Sequence, residues 1–116
     1  MPQMKDFPDW VKTAFPDPEG AWDGLEMHLL AGPAGQAVFL RATRDLVVPE
    51  HSHLEQWGVV ISGELEFTIG GVKRMLGPGD TYSIKAGEPH SAFLKEGCCA
   101  IDVFNQPDRF APKSRK

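Results

Sequence analysis

Cysteine is scarce in this chain of 116 residues: Cys98 and Cys99 are its only two, and they are adjacent. Neighbours on a strand point to opposite faces, so a bridge between them would be strained. No CxxC spacing exists to build a thiolate metal site or a redox pair. Both thiols therefore read as small half-buried side chains of a reducing compartment. Basic charge is also short, with 12 Lys and Arg against 16 Asp and Glu, a net of -4. A nucleic-acid partner would ask for the opposite balance. No apolar run nears the roughly 20 residues that span a bilayer. The opening MPQMKDFPDW lacks the basic-then-apolar order of a secretion signal. These absences set the expectation of a cytoplasmic protein with neither a nucleic-acid nor a membrane partner.

Proline (10) and glycine (12) are plentiful but scattered between apolar runs. That is the pattern of short strands joined by tight turns. From residue 25 onward LEMHLLA, QAVFLRAT, WGVVIS, ELEFTIG, VKRML, TYSIKA, HSAFLK and CCAIDVF are each short and rich in branched or aromatic residues. Their spacing has the rhythm of a sandwich or barrel. Gly70-Gly71, Gly77-Pro78-Gly79-Asp80 and Lys85-Ala86-Gly87-Glu88-Pro89 are the turns. Residues 1–24 differ: Phe7, Trp10, Phe15 and Trp22 recur, and Pro8, Pro16 and Pro18 leave room for one helical turn around Asp9 to Ala14. So dense a set of aromatics needs a surface to pack on. The expected organisation is an N-terminal arm (1–24) lying on the barrel or on a partner subunit, an all-β barrel (25–110) and a flexible basic tail (111–116). An exposed barrel edge invites pairing, and an arm covering a neighbour's edge would make a homodimer.

Three of the four histidines fall in one pattern. His51 and His53 are two apart, so on a strand both imidazoles project from one face and can reach one ion. Gln56 follows with an amide oxygen, and Glu55 beside it offers a carboxylate. His90 comes back about forty residues later, where an antiparallel sheet can return it to His51. The stretch Val48-Pro49-Glu50-His51-Ser52-His53 through Gly63-Glu64 resembles the first motif of the cupin family, two histidines, a third ligand, and a glycine seven residues beyond it. Gly79 through His90 resembles the second. Together the motifs cover residues 48 to 90, and flanking strands extend the likeness to about 25 to 105. The resemblance implies a cupin β-barrel, of the double-stranded β-helix or jelly-roll kind, with metal ligands His51, His53, Gln56 and His90. Two departures stand out: glutamine replaces the family's usual glutamate, and only Leu54-Glu55 separates His53 from it. Strand alternation favours Gln56, because an inward Glu55 would bring bulky Trp57 onto the ion; Glu55 stays as the alternative.

Three imidazoles and an amide would hold one divalent ion per subunit (zinc, nickel, iron, manganese or copper) without cancelling its charge. Such a centre suits Lewis-acid work on a small polar or anionic metabolite. The pattern is similar to that of small cupins that convert unsaturated uronates to keto forms, which points to isomerisation or tautomerisation at a carbonyl. A three-histidine iron dioxygenase and a non-catalytic ligand-binding sensor are the alternatives. Candidate proton carriers and clamps are Tyr82, the chain's one tyrosine; Asp102, a carboxylate inside the apolar run AIDVF; and Arg109, placed to pair with Asp102 or to grip substrate. His28 and Glu26 share a strand face and offer either ordinary wall positions or a polar pocket wall.

Overall fold

The computed structural model describes residues 6–19 and 22–111. A short helix, α1 (Asp9–Ala14), precedes nine strands: β1 (Leu25–Ala31), β2 (Gln36–Ala42), β3 (Leu46–His51), β4 (Gln56–Ser62), β5 (Leu65–Ile69), β6 (Val72–Leu76), β7 (Thr81–Ile84), β8 (His90–Leu94) and β9 (Cys99–Phe104). They form two antiparallel sheets, ordered β1-β2-β9-β4-β7 and β3-β8-β5-β6. The architecture is the all-β barrel that the strand rhythm implies. No helix among the described residues is long and apolar enough to cross a membrane.

Alternation builds the core. Along β2 every second residue is buried, and β4 follows the same rule with Gln56, Gly58, Val60 and Ser62 inward. Leu29, Val38, Val60, Leu65, Phe67 and Ile84 meet between the sheets. Gly63, the last motif-one position, turns the chain out of β4 at φ +79, and a Cβ there would lie 2.7 Å from Cys98 Cα. Both the turn and the close approach therefore require glycine. Cys98 and Cys99 are buried thiols that form no disulfide with each other, and burial pushes the Cys98 thiol up to about 12. They are packing residues.

The arm lies on its own barrel. Phe7 and Val11, with Phe15, cover Phe39, Ile61, Ile101 and Cys99 on the outer face of the five-stranded sheet. Phe7 meets Phe39 edge-on at 5.5 Å and Phe15 stacks on it at 5.6 Å. The Pro16 carbonyl accepts from Leu29 N at 2.8 Å, so the arm also occupies the free edge of β1. His28 sits on that outer face, its Nδ1 3.2 Å from the Phe15 carbonyl. Glu26 on the same face approaches Arg41 at 3.6 Å. Neither forms a wall of the barrel interior, which corrects the polar-pocket reading of this pair. Of the expected flexible tail, all but Ala111 lies outside the described residues; Ala111 accepts from Glu19 N at 2.7 Å, tying the two terminal segments together.

Candidate metal centre

Only one of the two histidines stands on a strand, and it is the last residue of that strand. β3 closes at His51, the register against β8 slips between Val48 and His51, and His53 belongs to the loop that precedes β4. Pro49 removes a ladder donor, which an edge strand such as β3 tolerates. The loop is pinned where it matters, since Gly87 N donates to the His53 carbonyl at 2.8 Å. His90 opens β8 directly opposite His51. The three rings converge, with centroids 4.3 to 5.2 Å apart.

Each ring has the same second partner. Nδ1 of His51 lies 2.8 Å from the Pro49 carbonyl, Nδ1 of His53 2.7 Å from that of Leu54, and Nδ1 of His90 2.9 Å from that of Glu88. A carbonyl only accepts, so all three Nδ1 atoms carry a proton, and in the neutral ring Nε2 then carries the lone pair. His53 and His90 Nε2 are 3.1 Å apart. Two lone pairs at that distance repel unless something cationic lies between them. Donors bound to one ion at about 2.0–2.1 Å stand about 2.9–3.4 Å apart for bond angles of about 90–110°, so the spacing fits. His51, His53 and His90 thus form a cluster able to hold a metal, their ligand atoms all within 4.8 Å of one another. Burial first, then the neighbouring imidazoles and the Arg109 charge, lowers the proton affinity of His53 and His90 and favours the neutral form a metal needs.

The two candidates for the next donor go different ways. Glu55 is exposed, and its carboxylate accepts from Asn105 Nδ2 at 3.2 Å. Gln56 is buried and lines the same interior cavity as the histidines. This cavity, of about 90 Å³, is walled mainly by core side chains such as Met27, Leu40 and Phe67. It joins an outer cleft of about 750 Å³ at a neck formed by His51, His53, Trp22 and Arg109.

Inside, Tyr82 donates its hydroxyl proton to Asp102 Oδ1, and Gln56 lines the same cavity. Burial pushes the Asp102 acid up to about 6, and pushes the Tyr82 phenol well above its usual range. The expected Asp102–Arg109 pair is not made. Strand order puts Asp102 between Gly58 and Val38, deep in the barrel, whereas Arg109 lies on the segment after β9 at the neck. Its guanidinium sits over the rings of Phe110 and Phe104, at 4.7 and 5.8 Å from their centroids. Its buried Nε has no hydrogen-bond partner among the described residues. Tyr82, at 4% exposure, lies inside the barrel.

Two positions carry signals too weak to read in the sequence. Gln36, a polar start to an apolar strand, is 4% exposed and holds the Arg109 segment: its amide donates to the Pro107 and Phe110 carbonyls at 2.9 and 2.7 Å and accepts from Phe110 N at 2.9 Å. Trp22, in the arm, reaches the mouth of the cavity.

The cupin domain family matches residues 37–104, which take in all three histidines and Gln56. No functionally curated protein matches. Among solved structures, KdgF from a Halomonas species is 30% identical, with a TM-score of 0.71 over 80% of this chain and 87% of that one. An RmlC-like cupin from Shewanella frigidimarina aligns at 24% identity and TM-score 0.73 over 91% and 96% of the two chains. Salicylate 1,2-dioxygenase from Pseudoaminobacter salicylatoxidans, solved with gentisate, aligns at 14% identity and TM-score 0.68 over 78% of this chain and 27% of that one. The last two similarities concern the fold alone. With the family match spanning β2 to β9 and a relative at 30% identity across most of both chains, this protein belongs to the cupin family.

Proposed function

We propose that this cupin is a metal-dependent enzyme that moves a proton beside the carbonyl of a small anionic metabolite, a tautomerisation or isomerisation for which sugar-acid-like substrates are favoured. One observation carries the reading: a buried carboxylate, Asp102, shares a single cavity with the three-histidine cluster and with Arg109. His51, His53 and His90, with Gln56 as fourth donor, would hold one divalent ion of zinc, nickel, iron, manganese or copper per subunit. That ion would supply Lewis acidity toward a carbonyl or carboxylate oxygen.

The remaining work falls to the chain's own side chains. An acid with a midpoint of about 6 is mostly ionised at neutral pH, and it is basic enough to accept a proton and acidic enough to return it. Tyr82 occupies one of the roughly four lone-pair sites of the Asp102 carboxylate, leaving others for a substrate proton. Tyr82 acts through Asp102. Arg109 at the neck has spare N–H donors for a substrate carboxylate, with the Phe104 and Phe110 rings holding its plane. The apolar walls keep bulk water from the reacting atoms. The outer cleft falls in the roughly 300–1,000 Å³ range of metabolite sites.

The test is solvent exchange. Protein loaded in turn with each of the five metals is incubated in deuterated water with unsaturated uronates and keto acids, and followed by proton NMR. Deuterium should enter the carbon next to the carbonyl for at least one substrate, and Asp102→Asn should abolish it. A metal-loaded protein that exchanges nothing overturns the enzymatic reading and leaves a ligand-binding sensor. A three-histidine iron dioxygenase is the alternative reading; oxygen uptake by iron-loaded protein on the same substrates would establish it in place of isomerisation. A cytoplasmic homodimer is part of the proposal. Trp57 and Val103, cross-strand partners on the outer face, are 46% and 42% exposed and support a contact there; light scattering on the full chain should give twice the mass, and a monomer would refute it.

A further inference from the structure

Phe67, Tyr82 and Phe104 line the interior cavity as buried rings, whereas Trp22, which lines the same cavity, is 39% exposed. Trp22 also lines the outer cleft, where it is the only phenyl or indole ring among the described residues. An indole left open at a mouth forgoes part of the stabilisation that burial would bring. Its place in the chain is nonetheless firmly held. Leu25 N donates to the Trp22 carbonyl at 3.1 Å, and Thr43 N donates to the Gly24 carbonyl at 2.9 Å. Arg44 donates to the Asp23 carbonyl at 3.3 Å and to the Asp23 carboxylate at 3.1 Å. Residues 22, 23 and 24 are thus fastened to the start of β1 and to the segment after β2.

The same neck holds Arg109, its guanidinium backed by the rings of Phe104 and Phe110. The segments that carry Trp22 and Arg109 are tied together. Glu19 N, three residues before Trp22, donates at 2.7 Å to the carbonyl of Ala111, two residues after Arg109. A cation and an open indole therefore stand in a fixed relation beside the histidine cluster. The indole face is broad, apolar and the negative side of a quadrupole, so it attracts the C–H-bearing face of a ring laid flat on it. An open chain gains less there, because it must lose rotor freedom to lie flat. The guanidinium fork suits a carboxylate. We propose that Trp22 is a specificity-determining residue, a platform that selects a carboxylate carried on a ring over one carried on an open chain. The inference rests on the reading above in which Arg109 takes the carboxylate of a small anionic metabolite. A tryptophan that only plugged the end of the barrel would support stability and leave ligand shape unread.

Two probes separate ring from chain: methyl glucuronoside, locked as a ring, and gluconate, an open chain of similar polarity with the same carboxylate. Their affinities are measured by titration calorimetry on the full-length protein in the presence of zinc(II). Wild type should bind the ring about tenfold tighter, the scale set by covering one apolar ring face. Trp22→Leu keeps apolar bulk at the mouth but has no π face, so it should bring the two affinities together while leaving that for gluconate unchanged. Trp22→Phe keeps a smaller π face and should retain most of the preference, which separates loss of the face from loss of packing. Arg109→Ala should weaken both probes alike. Equal affinities in wild type, binding of neither probe, or a full ring preference in Trp22→Leu overturns the platform, as does a Trp22→Phe no more selective than Trp22→Leu. The deuterium-exchange assay reads the enzymatic proposal separately. Exchange that persists without a ring preference leaves the enzyme standing and removes the platform. A preference that depends on Trp22 without any exchange keeps the platform as part of a ligand-binding site.

Discussion

Asp102 lies wholly inside the barrel, and its acid is raised from 3.8 to about 6, chiefly by burial. The folded state thus keeps this proton to a higher pH than the unfolded chain does. Between about pH 4 and pH 6 unfolding releases it, so this group makes stability fall as pH rises, with no further change above that window. The full effect is about 3 kcal/mol at most. Asp102→Asn has no such titration, so its stability relative to wild type should improve as pH goes from about 4 to about 7. Urea unfolding of both proteins across that range checks this; a constant difference would mean the carboxylate is no harder to ionise inside the barrel than outside. The alternation of AIDVF made a buried acid readable from sequence alone, because period two assigns Asp102 the face opposite Ile101 and Val103. Its partner Tyr82 was not readable, since it comes from a strand twenty residues away.

Among the elements, the segment after β9 shows how a functional side chain is held without regular structure. Three hydrogen bonds from one buried glutamine, Gln36, tie down Pro107 and Phe110 on either side of Arg109. Gln36→Leu keeps the volume but strips those bonds, leaving buried acceptors unpaired at a cost of about 2 kcal/mol. With a substrate in hand, KM should rise by about tenfold while kcat changes little, as expected when a binding group rather than a proton carrier is displaced; an unchanged KM would show that Arg109 keeps its place without the brace. β3 is the element the sequence pattern hid. Its proline and its register slip break the alternation that marks the other strands, and so the sequence did not show that His51 ends a strand while His53 lies in the loop beyond it.

Taken as one molecule, the barrel depends on its arm. Phe39, Ile61 and Ile101 form an apolar strip on the outside of the five-stranded sheet, covered by Phe7, Val11 and Phe15. Removing residues 1–22 would expose that strip and the β1 edge together. The truncated protein should aggregate or elute as broad high-mass species in size-exclusion chromatography. Phe15→Ala, a milder change at a half-buried ring, should lower the melting temperature, with about 2 kcal/mol lost. A truncated chain that elutes sharply and melts like the full one would contradict a structural role for the arm.

Period-two alternation, the turns at Gly70-Gly71 and Gly77 to Asp80, and the spacing of His51, His53, Gln56, Gly63 and His90 were enough to read an all-β cupin barrel and its histidine cluster from the sequence. These are local properties, written in runs of a few residues. Only the tertiary structure decided that Asp102 bonds Tyr82 instead of Arg109, and that the arm covers its own barrel. The reason is physical: alternation says which face a side chain takes, but its lateral neighbour depends on sheet order, and the packing of the whole core sets β9 between β2 and β4.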